Sequence, residues 1–203
     1  MSYELHNTDC LEFMRSMPDK SVDAVITDPP YGLGGRTTGG SSKNTQSRFD
    51  PHTWDDAPPN KEVFDQLRKI GDCQIFWGGN YFELPPTRCV LVWDKMTYIP
   101  TMSRVEIAWT SFDYPAKYIM LNSNLNNREH ATQKPVALLK WCIEICKLPQ
   151  GSTIFDPFMG SGTTGIACME LGYNFIGCEI DPNYYAIAER RIKQAAMQEV
   201  MFT

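Results

Sequence analysis

Strand-like and helix-like segments alternate along the 203 residues, predicting one α/β domain on an open, mainly parallel sheet. Two stretches carry most of that prediction. Toward the C-terminus the chain reads strand (Thr153–Phe155), glycine loop, helix (Thr163–Leu171), strand (Asn174–Cys178), then a helix opened by Asp181-Pro182. Near the N-terminus the apolar run Val22–Thr27 stops at Asp28-Pro29-Pro30-Tyr31, where two prolines end a buried strand.

The other elements follow in order. Tyr3–Asn7 is a short mixed strand. Asp9 precedes a helix with Glu12 three residues on, near capping-box spacing; Leu11 and Met14 give it an inward face and Pro18 ends it. Residues 32–60 are rich in small polar residues without hydrophobic period, which reads as a mobile loop. Val63, Phe64, Leu67 and Ile70 recur at helical spacing, with Gly71 as a stop. Three β-like runs follow: Cys73–Trp77, Cys89–Trp93 and Val105–Thr110. Pro135 opens a helix whose Leu138, Leu139, Cys142, Ile143 and Cys146 share a face.

Composition excludes several classes. No stretch approaches the roughly 18 apolar residues that span a bilayer, and the N-terminus has neither a basic region nor an apolar signal core. Seven cysteines without CxxC spacing and three scattered histidines suit a reduced cytoplasmic protein and not a zinc site or any other metal centre. A net charge of −5 argues against a surface coated for non-specific nucleic-acid binding, while leaving local patches open.

Gly160-Ser161-Gly162-Thr163-Thr164-Gly165 fits G-x-G-x-x-G between a strand and a helix, and Glu179 ends the next strand, placed to accept hydrogen bonds from ribose hydroxyls. The pattern suits a nicotinamide dinucleotide or another adenosine-containing cofactor. Two details favour S-adenosylmethionine. Asp156-Pro157-Phe158 comes just before the glycines, where a carboxylate suits an ammonium and repels a pyrophosphate. No arginine or lysine lies between Ser152 and Asp181 to offset phosphate charge.

Asp28, Pro29, Pro30 and Tyr31 together make a small fixed pocket for a flat hydrogen-bonding group. With the downstream loop, they suggest transfer from a nucleotide-like cofactor to a planar amine.

These blocks resemble those of the amino-group DNA methyltransferases, adenine-N6 type. Asp-Pro-Pro-Tyr is similar to that family's catalytic motif, Asp156–Gly162 to its cofactor motif, and His130–Pro135 to the segment preceding the cofactor strand. Catalytic before cofactor is the order of the permuted subgroup often called beta. The likeness covers roughly residues 3–32 and 130–192. It implies a Rossmann-like S-adenosylmethionine-dependent methyltransferase fold, with a mainly parallel sheet of seven strands, one of them antiparallel. It also implies methyl transfer to an adenine flipped out of double-stranded DNA. Asp28 and a main-chain carbonyl near Pro29 would accept the amine hydrogens, and Tyr31 would stack on the base. The resemblance sets Asp9 and Cys10 against the cofactor adenine, with Ile180 packing on it, and Thr132 and Lys134 at the methionine end. Asp28, Asp156, Pro157, Phe158, Gly160, Ser161, Gly162, Thr163 and Glu179 complete the cofactor site. Trp77-Gly78-Gly79-Asn80 borders the base pocket or packs as core.

Several alternatives stay open. N4-cytosine is the near rival, though that subgroup more often carries serine where Asp28 stands. A nicotinamide oxidoreductase would keep only the glycine fingerprint, and a non-catalytic DNA-binding module would break one of the two motifs. The family's recognition region is compressed here into residues 33–60 and 94–129, so a homodimer or a separate recognition or restriction partner is a further expectation.

Overall fold

The computed structural model describes residues 1–33, 57–97, 103–122 and 133–200. In chain order the elements are β1 (Tyr3–His6), α1 (Cys10–Met14), β2 (Val22–Thr27), α2 (Lys61–Ile70), β3 (Gly71–Trp77), β4 (Val90–Asp94), β5 (Val105–Thr110) and β6 (Lys117–Met120). Then come α3 (Val136–Cys146), β7 (Thr153–Asp156), α4 (Thr163–Leu171), β8 (Asn174–Cys178) and α5 (Pro182–Val200). A 3-10 turn, Gly79–Tyr81, follows β3. Among the described residues no helix is long and apolar enough to cross a membrane.

The described strands form one sheet in the order β1-β8-β7-β2-β3-β5-β4-β6. Seven strands were expected and eight are present. Lys117–Met120 is the extra one, pairing in parallel with β4 at the sheet edge. It is mostly exposed and lacks the buried alternation that marks an inner strand. The antiparallel strand is β5, which runs opposite to both β3 and β4. Its reversal lets a short connection join it to β4, whereas parallel neighbours need a crossover.

Alternate residues of the central strands enter two cores. Ala24, Ile26, Ile75, Trp77 and Ile154 pack with the inward faces of α3, α4 and α5. Val25, Phe76 and Phe155 pack with Met14 of α1 and with Val63, Phe64, Leu67 and Ile70 of α2. Burial on both faces explains why these strands read as continuous apolar runs.

Gly71 acts differently from the expected helix stop. Its backbone is extended (φ −124°, ψ 145°) and it opens β3, while a Cβ there would lie 2.7 Å from Val25 Cγ2. Close packing on β2 therefore favours glycine, not a left-handed cap. Asp9 caps α1 as expected, accepting from the amides of Leu11 (2.9 Å) and Glu12 (3.0 Å), but the helix ends at Met14, before Pro18. Asp181 caps α5 through Asn183 N at 2.7 Å.

Candidate active site

β2 and β7 are parallel neighbours, with Ala24 opposite Ile154 and Val25 opposite Phe155. From β7 the sheet continues through β8 to β1, and from β2 through β3 in the other direction. At such a divergence the loops part and leave a crevice beyond the strands' carboxyl ends. Asp28 follows β2 and Asp156 ends β7, so the two sequence blocks meet there although the cofactor block comes 128 residues later, 156 − 28.

Asp28 stands inside a network of charge. Its Oδ1 accepts from the Tyr31 hydroxyl at 2.5 Å, and its Oδ2 meets the Lys134 ammonium at 2.5 Å. Lys134, whose side chain is 6% exposed, also reaches Glu106 Oε2 at 3.2 Å and the Tyr31 hydroxyl at 3.3 Å. Lys95 flanks Glu106 at 3.1 Å. Burial raises the Asp28 pKa, and Glu106 raises it further, against the opposing pull of Lys134. Glu106 is also penalised by burial, yet Lys134 and Lys95 together hold its carboxyl below the usual range. Burial opposes the charged form of Lys134, but Asp28 and Glu106 prevail and raise its pKa. Tyr31 stays a phenol, its pKa raised well above the ordinary value by burial and then by Asp28.

The Tyr31 ring stacks on Tyr81, with centroids 4.9 Å apart and planes at 17°, and meets Phe82 edge-on. Gly78 makes that seat possible. Its φ is +71°, and a Cβ there would strike the Tyr31 ring. The Trp77–Asn80 segment thus borders the pocket through its glycine, while Trp77 is fully buried in the core.

The carboxylate of Asp156, 3% exposed, joins three elements. It accepts from Thr27 Oγ1 of β2 (2.7 Å), Thr164 Oγ1 of α4 (2.6 Å) and the Phe158 amide (3.1 Å). Burial pushes its pKa up to about 6 despite these bonds. Glu179, beyond β8, accepts from the Gly160 amide and the Asp181 amide, each at 2.9 Å, and so fixes the glycine loop. Burial raises its pKa as well. Pro157 is buried and Phe158 half-buried beside it, while Ser161 and Thr163 are buried at the helix start.

Ile180 is 67% exposed and presents an apolar surface beside Glu179. Cys10 is buried, and burial pushes its thiol up to about 12, so it packs as a neutral group. Pro29 is buried and Pro30 half-buried behind Asp28. Thr132 lies outside the described residues, as do residues 34–56 of the expected loop and 98–102 and 123–129 of the expected recognition interval. β5 and β6 occupy part of that interval.

Sequence reasoning missed several residues. Glu106 and Lys95 reach the site from β5 and from the end of β4, and Tyr81 reaches it from the 3-10 turn. Asn7 donates to the carbonyls of Glu179 (2.7 Å) and Ile180 (3.1 Å), tying β1 to the end of β8. Arg191 of α5 donates to both oxygens of Ser161, at 2.5 Å to the carbonyl and 2.8 Å to the hydroxyl. A cation does therefore lie on the glycine loop, supplied from outside the window between Ser152 and Asp181.

Fold and paired motifs resemble those of one class, the amino-group DNA methyltransferases. Residues 92–190 match the N6/N4 family model described as DNA methylase. YubD of Escherichia coli (strain K12), whose name proposes a methylase, is 26% identical over 222 residues, 95% of this chain and 90% of that protein. The M1.HpyAVI–SAM complex superposes with a TM-score of 0.62 at 24% identity, covering 93% of this chain and 99% of the other. The PvuII DNA methyltransferase, described as cytosine-N4-specific, gives 0.64 at 15% identity over 98% and 92%. The fold is that of the S-adenosyl-L-methionine-dependent DNA methyltransferases, and residues 92–190 of the chain are similar to the DNA methylases of the N6/N4 type.

Proposed function

We propose that this protein transfers a methyl group from S-adenosyl-L-methionine to the N6 amine of adenine in double-stranded DNA. The observation that carries this reading is the placement of Asp28-Pro29-Pro30-Tyr31 at the end of β2, directly beside the Asp156–Gly162 turn at the end of β7. One block supplies acceptors for an amine, and the other the turn beneath a nucleoside.

The residues present suit that cofactor. The half-buried Glu179 carboxylate faces the glycine loop as a partner for ribose hydroxyls, and the exposed Ile180 next to it offers an apolar surface for a purine. Asp9 and Cys10 would flank the purine, Phe158 and Ser161 to Thr163 would line the turn, and Lys134 with Thr132 would serve the carboxylate of the amino-acid end. Asp156 supports the turn by its bonds to Thr27 and Thr164, and the fold gives it that role whatever else it holds.

When bound, S-adenosyl-L-methionine supplies a methyl on sulfonium, an electrophile that requires in-line approach. Adenine's exocyclic nitrogen is a weak nucleophile because its lone pair is delocalised into the ring. Asp28 accepts one amine hydrogen and a carbonyl near Pro29 the other, which favours a pyramidal nitrogen with a directed lone pair. Formation of the N–C bond would break the sulfonium C–S bond, whose electron pair leaves with neutral S-adenosylhomocysteine, and the nitrogen would then carry a proton to be shed. Asp28, with its raised pKa, is suited to hold that proton and release it to solvent. Tyr31, braced on Tyr81, closes the pocket on the base, which must first leave the duplex.

A second reading, N4-cytosine, is favoured by the fold's likeness to the cytosine-N4-specific PvuII enzyme. Incubation with duplex DNA and methyl-labelled cofactor, then digestion to nucleosides, separates the two. N6-methyladenine is expected, with Asp28→Ala reducing it at least a hundredfold. N4-methylcytosine alone would replace the first reading with the second, and full activity of Asp28→Ala would remove both.

A further inference from the structure

We infer that Glu106 is a positioning residue, which holds the Lys134 ammonium as an exchangeable partner of Asp28 so that Lys134 can yield Asp28 to an incoming amine and keep a countercharge. The inference rests on Asp28 as the amine acceptor.

Both carboxylate oxygens of Asp28 are engaged by the protein's own donors, Tyr31 on one and Lys134 on the other. An amine that approaches Oδ2 competes there with a charged donor at 2.5 Å. Lys134 has a second carboxylate within reach. Its side chain is 6% exposed, and a buried ammonium stripped of its anion carries a heavy desolvation penalty. Glu106 Oε2, already 3.2 Å away, keeps that ammonium paired whether it leans toward Asp28, toward a substrate carboxylate or toward neither. Lys95 balances Glu106 from behind at 3.1 Å, so Asp28, Lys134, Glu106 and Lys95 form a row of alternating charge.

Topology places Glu106 there. β5 alone among the described strands is reversed, so its beginning, not its end, lies at the active edge. Glu106 is the second residue of that strand and sits across from Trp93, one residue short of the end of β4. Among the described residues the ammonium also faces the Tyr31 hydroxyl, the Trp77 ring at 5.4 Å and, from α3, the Cys142 thiol, which burial pushes up to about 12 and keeps neutral. Asp156 acts electrostatically on Asp28 from the β7 side. Neither Tyr31 nor Trp77 can replace a carboxylate as countercharge.

Carboxyl carbon NMR on aspartate-labelled protein, with Asp28→Asn for assignment, reads this relation without any turnover. In Glu106→Gln the repulsion on Asp28 is gone and Lys134 has no other carboxylate, so the Asp28 midpoint is expected to fall by on the order of one pH unit. An unchanged midpoint overturns the inference. Should Glu106→Gln lose the native fold, Lys95→Gln reads the same chain from the other end. With Lys95 neutral, Glu106 draws Lys134 more strongly and the Asp28 midpoint rises; no movement overturns it. Kinetically, Glu106→Gln is expected to lower kcat/KM for DNA about tenfold and to cost nothing further in a Lys134→Gln background. Fully additive losses would show that Glu106 does not act through Lys134. Failure of the wild type to methylate DNA would remove the proposed function but leave the titration result readable.

Discussion

Asp28 and Asp156 end neighbouring strands, and burial raises the pKa of each, yet their surroundings divide their roles. Asp28 is held by an ammonium from the segment before α3 and a phenol from its own loop. Asp156 is held by two threonine hydroxyls and an amide built into β2, α4 and the turn. Its consequences for stability follow directly. The Asp156 pKa rises from 3.8 to about 6 on folding, so between about pH 4 and 6 the unfolded chain releases a proton that the folded chain retains. Stability then falls with rising pH in that window, by ~3 kcal/mol from this group. Asp156→Asn is expected to remove that part of the slope in urea unfolding followed from pH 4 to 7, at a cost of about 1–3 kcal/mol at pH 4 for the disturbed hydrogen bonds. A slope unchanged in the variant would assign the pH dependence elsewhere. Gly162 makes a second residue-scale case. Its φ is +81°, and a Cβ would sit 3.0 Å from Ala188 Cα in α5. Gly162→Ala is expected to lose about 1–3 kcal/mol in thermal unfolding, from strain and contact together.

Among the elements, α4 is the most enclosed. Thr163 through Met169 are all buried, because the helix is packed against α3, α5, β7 and β8. Gly165 lets it approach so closely: a Cβ there would lie 2.8 Å from Phe175 Cε1 and still nearer to Ile192 Cδ1. Gly165→Ala is expected to destabilise by about 1–3 kcal/mol in denaturant unfolding. Ile192→Val removes the nearest atom, so the double variant should recover part of that loss, a positive coupling in the mutant cycle. Strict additivity would mean that Ile192 is not what the methyl group meets. These inner elements were legible in the sequence because burial on both faces leaves long apolar runs between strong turn signals. β6 was not, since an edge strand with exposed Tyr118 and Met120 carries no such pattern. Gly71 was read by its commonest role, as a helix stop, where close packing on Val25 decides its identity.

For the whole molecule, adjacency of β2 and β7 turns two distant sequence blocks into one crevice, and each block was legible because its residues are contiguous. The missed partners are those that topology alone delivers. Glu106 arrives on a reversed strand, Tyr81 on a 3-10 turn and Arg191 three turns into the last helix, so no local spacing links them to Asp28 or to the glycine loop. The same arrangement divides labour across the crevice. Glu179, Ile180 and Asn7 lie on the β8–β1 side, while Asp28, Tyr31 and Lys134 lie on the β2 side. A cofactor that binds only the folded state stabilises it in proportion to its occupancy. S-adenosylhomocysteine, the methyl-free product, at a hundredfold its Kd should add about 2.7 kcal/mol to unfolding. That corresponds to a rise of about 5–10 °C in Tm for a chain of this size. Asp28→Ala is expected to keep this rise while losing methyl transfer, because its carboxylate serves the base. Glu179→Ala should lose most of the rise at the same ligand concentration, since its carboxylate both anchors the Gly160 amide and faces the nucleoside. Equal loss of the shift in both variants would mean that cofactor and base share one set of residues, and the two sides of the crevice would not be separable.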